Sequence, residues 1–332
     1  MAKVPQDYPV ETLDQPTHVP GSETLRVNVS PPSDIPAIRT ERNPGPLNSA
    51  ERVDLKQLIH HADELAPLPP TTVRLAELAG NPDSNLDEIA ELIEFDQVLT
   101  LKLLRAANSA FSASPVEIGT VREAVARMGT KQVVDLAIAA GVKPILQSGL
   151  PAYGLDEGAL WRHSVAAAVS AESAQNFCQI EIPPEAFTAA LLHDVGKLVM
   201  GRFLNPTIIE HIRHAQEARQ LDPLAAESLV LNVNHAELGG RIARRWNLPP
   251  RIVQGIIHHH QPAYGRDVVC DITHLADQVA KHIEAALSGS EYKVELATGV
   301  AHRLGLPPLA LESFCPFAAS RFALVSSRYE AC

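Results

Sequence analysis

The sequence predicts an all-α fold. From Leu55 onward apolar residues recur at helical spacing between Pro and Gly punctuation, and no segment shows the period-two alternation of a strand. At 332 residues with 45% hydrophobic side chains, the chain is long enough for a sizeable core and for two packed helical lobes.

Residues 1–50 hold nine of the 26 prolines and a single aromatic residue, Tyr8. With no apolar period to build a core around, they are expected to form a disordered tail. A helical lobe is expected over 51–150. Pro69 and Pro70 precede an apolar stripe, and Leu86, Ile89, Leu92 and Ile93 then fall on one helical face. VLTLKLLRAANSAFS reads as a buried helix. Thr120 with Glu123 forms a capping box, so a helix starts there and stops near Gly129. KQVVDLAIAAGVKPILQ continues the helical pattern as far as SGLPAYGLDEG, the expected seam between the lobes.

The second lobe is expected over 151–289. Its first helix carries His163 among Ala159, Ala166, Ala167 and Ala168, small residues that let helices approach closely. Pro183 and Pro184 open one apolar helix through EAFTAALLHDVGKLVMGRF, into which Asp194, Gly196 and Lys197 intrude. An interior glycine costs about 1 kcal/mol relative to alanine, so the intrusion needs a reason. Asn234, with Glu237 three positions on, caps the helix that starts with His235. PPRIVQGIIHHHQP ends in His258, His259 and His260, and CDITHLADQVAKHIEAAL carries Asp277. Residues 290–332 read as a weakly helical C-terminal extension.

Lys+Arg 28 against Asp+Glu 39 gives a net charge of −11, which argues against nucleic acid or an anionic membrane as partner. The one dense basic group, Arg241, Arg244 and Arg245, reads as a solvated helix face. Four widely separated cysteines without CxxC spacing argue against a zinc ribbon or a disulfide framework and point to the cytoplasm. Neither a signal-peptide stretch nor a membrane span is expected.

Polar rings and carboxylates in apolar helices are costly to bury singly, so their recurrence points to a shared partner, most simply a metal cluster. The order H…HD…H…HH…D places His163, His193, Asp194, His235, His259, His260 and Asp277 across five helices. This lobe resembles the HD superfamily of metal-dependent phosphohydrolases: LLHDVGK matches its central signature, and NHAELGGRIARRWNLPPRIVQGIIHHHQP and ITHLADQVA resemble later helices of its HD-GYP branch. The first lobe, from LPPTTVRLAELAG to DLAIAAGV, is similar instead to the HDOD family, the HD-related output domains of bacterial signalling. The combined resemblance covers roughly residues 60 to 285 and implies a two-lobed helical architecture.

The resemblance also implies roles. His163, His193, Asp194 and Asp277 would hold one metal, and Asp194 would bridge to a second held by His235, His259 and His260. Imidazoles mixed with carboxylates suit two divalent transition-metal ions such as Fe, Mn or Zn. In an active phosphohydrolase Asp194 and Lys197 would serve catalysis, Lys197 binding a phosphate oxygen; a surface lysine is the competing reading. A third metal is not expected, because the HD-GYP glutamate one turn before the first histidine is Ala159 here. The GYP-bearing loop is replaced by QPAYGRDVV, which gives no support for cyclic di-GMP specificity. The family's Asp-Pro is Asp96-Gln97, a change expected to touch only a helix start. His258, His274, His282 and His302 read as packing or surface histidines, Trp161 and Trp246 as packing anchors, and Asn108-Ser109 as a capping or loop element. Three functions follow: a signalling output protein with a regulatory di-metal site, contacting a protein partner or a phosphate-containing small ligand; a working phosphohydrolase or phosphodiesterase; or a metal-free helical adaptor.

Overall fold

The computed structural model describes residues 54–81, 83–110, 117–307 and 309–331, so the expected N-terminal tail lies outside the described residues. These residues form seventeen α-helices and no strand, as the sequence predicts; an isolated bridge joins Leu150 to Leu155. The first six helices are α1 (Leu55–Glu64), α2 (Pro70–Ala79), α3 (Leu86–Glu94), α4 (Gln97–Ala110), α5 (Val121–Met128) and α6 (Thr130–Leu146). After the 150–155 turn come α7 (Ala159–Ser173), α8 (Glu185–Leu192), α9 (Lys197–Phe203), α10 (Pro206–Arg219) and α11 (Pro223–Leu231). The remainder are α12 (His235–Arg245), α13 (Pro250–His258), α14 (Pro262–Gly265), α15 (Val268–Leu287), α16 (Val300–Arg303) and α17 (Ala310–Ala331). None is long and apolar enough to cross a membrane.

Local chemistry sets the boundaries. Asn85 caps α3 by accepting the Glu88 amide, and Asp96 does the same for Leu99 at the start of α4. Thr120 and Glu123 form the reciprocal capping box, and Gly129 ends α5 at φ 85, in the region where a side chain is strained. Asn108 accepts the Ile118 amide and donates to the Ile118 carbonyl, so it pins the start of the segment leading to α5. Within α6, Pro144 has no amide to give the Ala140 carbonyl; Lys102 Nζ of α4 takes its place at 2.9 Å.

Burial makes one group in α6 pH-sensitive. Asp135 is 4% exposed and pairs with Lys131 Nζ at 2.6 Å. Burial raises its pKa to about 6 against the opposing pull of Lys131. The unfolded carboxyl ionises near the ordinary value of 3.8. Between those values the folded state holds a proton that the unfolded state has released, so stability falls as pH rises through them. Asp135→Asn removes that loss, and it should gain on the wild type by about 1 kcal/mol between about pH 5 and about pH 7.5 in paired urea melts.

Two departures from the sequence expectation shape the site. The predicted single helix from Glu185 to Phe203 is broken: α8 stops at Leu192, and residues 193–196 form tight turns in which Leu192 and Asp194 carbonyls accept the amides of Val195 and Lys197. At this turn Gly196 lies against α12: an added Cβ would stand 1.9 Å from the His235 carbonyl oxygen. Only glycine lets the start of α12 approach this closely. The C-terminal stretch, in turn, contains a 22-residue helix. Its Phe314, Ala318, Phe322, Val325 and Tyr329 are buried, and it packs on α4, α7 and α15. Lys143 Nζ caps its end through the Glu330 carbonyl at 2.5 Å.

Candidate metal centre

The seven residues singled out in the sequence converge. His163 comes from α7, His193 and Asp194 from the turns after α8, His235 from the first position of α12, His259 and His260 from the end of α13, and Asp277 from the middle of α15. The small side chains of α7, Ala166, Ala167 and Ala168, are fully packed and allow α8 and α15 to close on it. Asn234 caps α12 by accepting the Glu237 amide, which fixes the turn holding His235.

The ligand atoms fall into two groups joined by one carboxylate. His163, His193 and Asp277 form the first, with their facing atoms 3.2 to 3.5 Å apart. His235, His259 and His260 form the second, in which His235 Nε2 and His260 Nε2 stand 3.0 Å apart. Asp194 lies between them. Its Oδ2 is 3.4 Å from His193 Nε2 and 3.7 Å from His163 Nε2, and its Oδ1 is 3.3 Å from His235 Nε2 and 3.9 Å from His259 Nε2. Asp194 Oδ1 and His259 Nε2 are buried and make no hydrogen bond. A buried polar atom left this way costs about 1–3 kcal/mol, which a cation at the centre would offset.

A second ring of contacts sets the tautomers. His193 Nδ1 donates to the Ala190 carbonyl and His259 Nδ1 to the Ile256 carbonyl, each at 2.7 Å. A carbonyl can only accept, so Nδ1 carries a proton and Nε2 is the atom turned toward the centre. His163 Nδ1 meets Glu284 at 3.0 Å, and His235 Nδ1 meets Glu227 at 2.7 Å. Glu227 also accepts the His235 amide and is itself reached by the Tyr153 hydroxyl at 3.2 Å. His274 is not part of the cluster: its Nδ1 donates to the His259 carbonyl and its Nε2 accepts the Ala297 amide. It is a satisfied core histidine, as read from the sequence.

Electrostatically the two groups differ. Burial opposes charge on His193, yet Asp194 and Asp277 outweigh it and raise the ring to about 10. His163 is raised in the same sense, burial being overcome by Asp277 and Glu284. Burial and the neighbouring rings drive His259 well below its usual range, and burial with His235 pushes His260 down to about 3. Both carboxylates are held well below their usual range despite burial, Asp194 chiefly by Lys197 and His193, Asp277 by His163 and His193. The first group therefore recruits protons that a divalent cation would displace, while His259 and His260 of the second already offer neutral nitrogens.

Lys197 lies at the start of α9 with Nζ 2.5 Å from Asp194 Oδ2, facing the cavity. Sequence reasoning missed its counterpart Lys281, whose Nζ is 2.6 Å from Asp277 Oδ2. The i,i+4 spacing from Asp277 was the available signal. Glu284, two turns beyond Asp277, carried the same kind of signal. Glu227 and Tyr153 carried none, since only the folded chain brings them to His235. Glu227→Gln should weaken metal binding at the second group about 10- to 100-fold, measured by competition with a chromophoric chelator; an unchanged affinity would remove Glu227 from the support of His235.

The comparisons with known proteins agree with this architecture. An uncharacterised protein of Treponema pallidum (strain Nichols) is 27% identical over 199 residues, 60% of this chain and 38% of its own length. The chain thus spans well under half of that relative. Among solved structures, an HDOD domain protein of unknown function from Geobacter sulfurreducens matches with TM-score 0.62 at 21% identity, over 84% of this chain and 99% of its own. A Marinobacter aquaeolei VT8 protein, provisionally named for signal transduction, matches with TM-score 0.65 at 22% identity, over 83% and 65% of the two chains. A Shewanella amazonensis SB2B protein, provisionally named a phosphohydrolase, matches with TM-score 0.54 at 24% identity, over 80% and 97%. These likenesses establish the shared fold. The HDOD domain family model matches residues 65–262, and the chain belongs to that family.

Proposed function

We propose that this protein is an HDOD output protein of a signalling system whose helical body contacts a protein partner or a phosphate-containing small ligand, with a di-metal HD-type centre that stabilises or regulates it. The observation that carries the reading is Asp194, whose two oxygens face opposite histidine groups while Oδ1 and His259 Nε2 lack hydrogen bonds. His163, His193 and Asp277 would hold one ion and His235, His259 and His260 the other, with Asp194 shared. This donor set of imidazoles and carboxylates fits Fe, Mn or Zn and is a poor match for calcium. Two such ions supply Lewis acidity and lower the pKa of bound water.

A second reading, an active metal-dependent phosphohydrolase or phosphodiesterase, is favoured by Lys197 and Lys281, two ammonium groups at the rim of the same centre. Protein purified under reducing, oxygen-poor conditions is expected to contain near two transition-metal equivalents. Metal-dependent turnover of a phosphodiester panel that vanishes in His193→Ala would favour the enzyme, and metal binding without turnover the regulatory centre. Protein that takes up no metal and is as stable as its His193→Ala variant would sink both.

A further inference from the structure

The second histidine group opens into a cleft of about 560 Å³. His260 and the buried His235 line it, with Lys197 and Lys281 beside them. The other wall, from α9 to α11, is apolar: Leu204, Ile209, Ile212 and Pro223 face the space, joined by Tyr153 from the turn before α7. Arg213 also reaches the cleft, but Glu210 and Glu217 hold its guanidinium. The two lysines are mostly buried, 19% and 30% exposed, with their stems packed and their ammonium heads held on Asp194 and Asp277.

Each lysine contacts the Oδ2 of a carboxylate that also faces the histidines, Asp194 for Lys197 and Asp277 for Lys281. Cations held by the histidines would draw Asp194 and Asp277 to themselves and leave both ammonium groups in need of new acceptors. An anion with several oxygens supplies them. A bare phosphate would fill only a small part of a cavity that lies in the range of small-molecule sites, and it would leave the isoleucine wall wet. We propose that the cleft takes a phosphate ester bearing an apolar organic group: Lys281 together with Lys197 grips the phosphate, and the Ile209–Ile212 wall receives the organic group. The proposal rests on the di-metal reading for the release of the lysines and goes beyond it in assigning Lys281 and the apolar wall.

Non-hydrolysable phosphonates test it on the full chain by calorimetric titration, with metal content measured on the same sample. Methylphosphonate, phenylphosphonate and hexylphosphonate present one head group with different bodies. At least one of the two larger probes should bind about tenfold tighter than methylphosphonate, the gain expected from burying a few carbons. Lys281→Met should weaken all three about tenfold, with Lys281→Arg restoring most of the loss. Ile212→Asn should erase the preference for the larger probes and leave methylphosphonate unchanged. Tighter phenylphosphonate would identify a flat aromatic body, and tighter hexylphosphonate a lipid-like chain. Equal affinity for all three probes, or a Lys281→Met variant that binds like the wild type, would overturn the proposal. If that happens in protein holding two metals, the cleft assignment alone fails; if metal is absent yet the preference and the Lys281 effect persist, the di-metal reading alone fails.

Discussion

Asp194→Ala is expected to take the bound transition metal from near two equivalents to well below one. One carboxylate serves both histidine groups, so its removal subtracts a ligand from each and also the negative charge that holds two cations close together. The loss should appear in stability. Each ion held at a hundredfold excess over its dissociation constant adds about 2.7 kcal/mol to the folded state. Losing both would lower the melting temperature of the metal-loaded protein by about 10 °C. Plasma mass spectrometry and calorimetric melts with and without chelator check this together. Chelator should bring the wild type down toward the variant and leave the variant nearly unmoved. A variant with wild-type metal content and melting temperature would show that Asp194 bridges nothing.

Gly196→Ala is the second large effect. Its Cβ would meet the His235 oxygen at 1.9 Å and the Gly239 nitrogen at 2.7 Å. Both are backbone atoms, so no side-chain rotation relieves the overlap, and the turn after α8 must part from α12. Overpacking of this kind is expected to cost about 3 kcal/mol, read from urea melts. It should also cost metal unequally. His235 moves with the start of α12, away from the turn that carries Asp194, so the link between Asp194 and the second group should fail and that group's ion be lost first. Gly119→Ala is a suitable control, since its nearest contact is a flexible Glu123 oxygen at 3.6 Å, and its stability should change by less than about 0.5 kcal/mol. Equal stability of the two variants would refute the close approach at Gly196.

Which parts were legible in the sequence follows from the range of the interactions that set them. Caps at Thr120 and Asn234 are local hydrogen bonds, and they stand where the residue types placed them. The seven candidate ligands were readable because they recur in separated motifs on apolar helices, and the fold brings all seven together. The break between α8 and α9 was not readable: LLHDVGKLVM is apolar enough to pass for one helix, and the backbone that Gly196 meets comes from a residue 39 positions away. α17 carried a usable stripe in Phe314, Ala318, Phe322, Val325 and Tyr329, obscured by Pro316 and many small residues. Glu227 and Tyr153 are defined only by the approach of α11 and the 150–155 turn to His235, which no spacing announces.

The bond from Ala297 to His274, and from His274 to the carbonyl of His259, bears on the order in which the centre comes into being. A chain emerging from the ribosome delivers His163 and His193 long before the segment that fastens His259. Until Ala297 has been synthesised and docked, the imidazole ring of His274 has only one of its two anchors. The second histidine group is thus fastened through a chain of contacts that spans 38 positions, from His259 to Ala297.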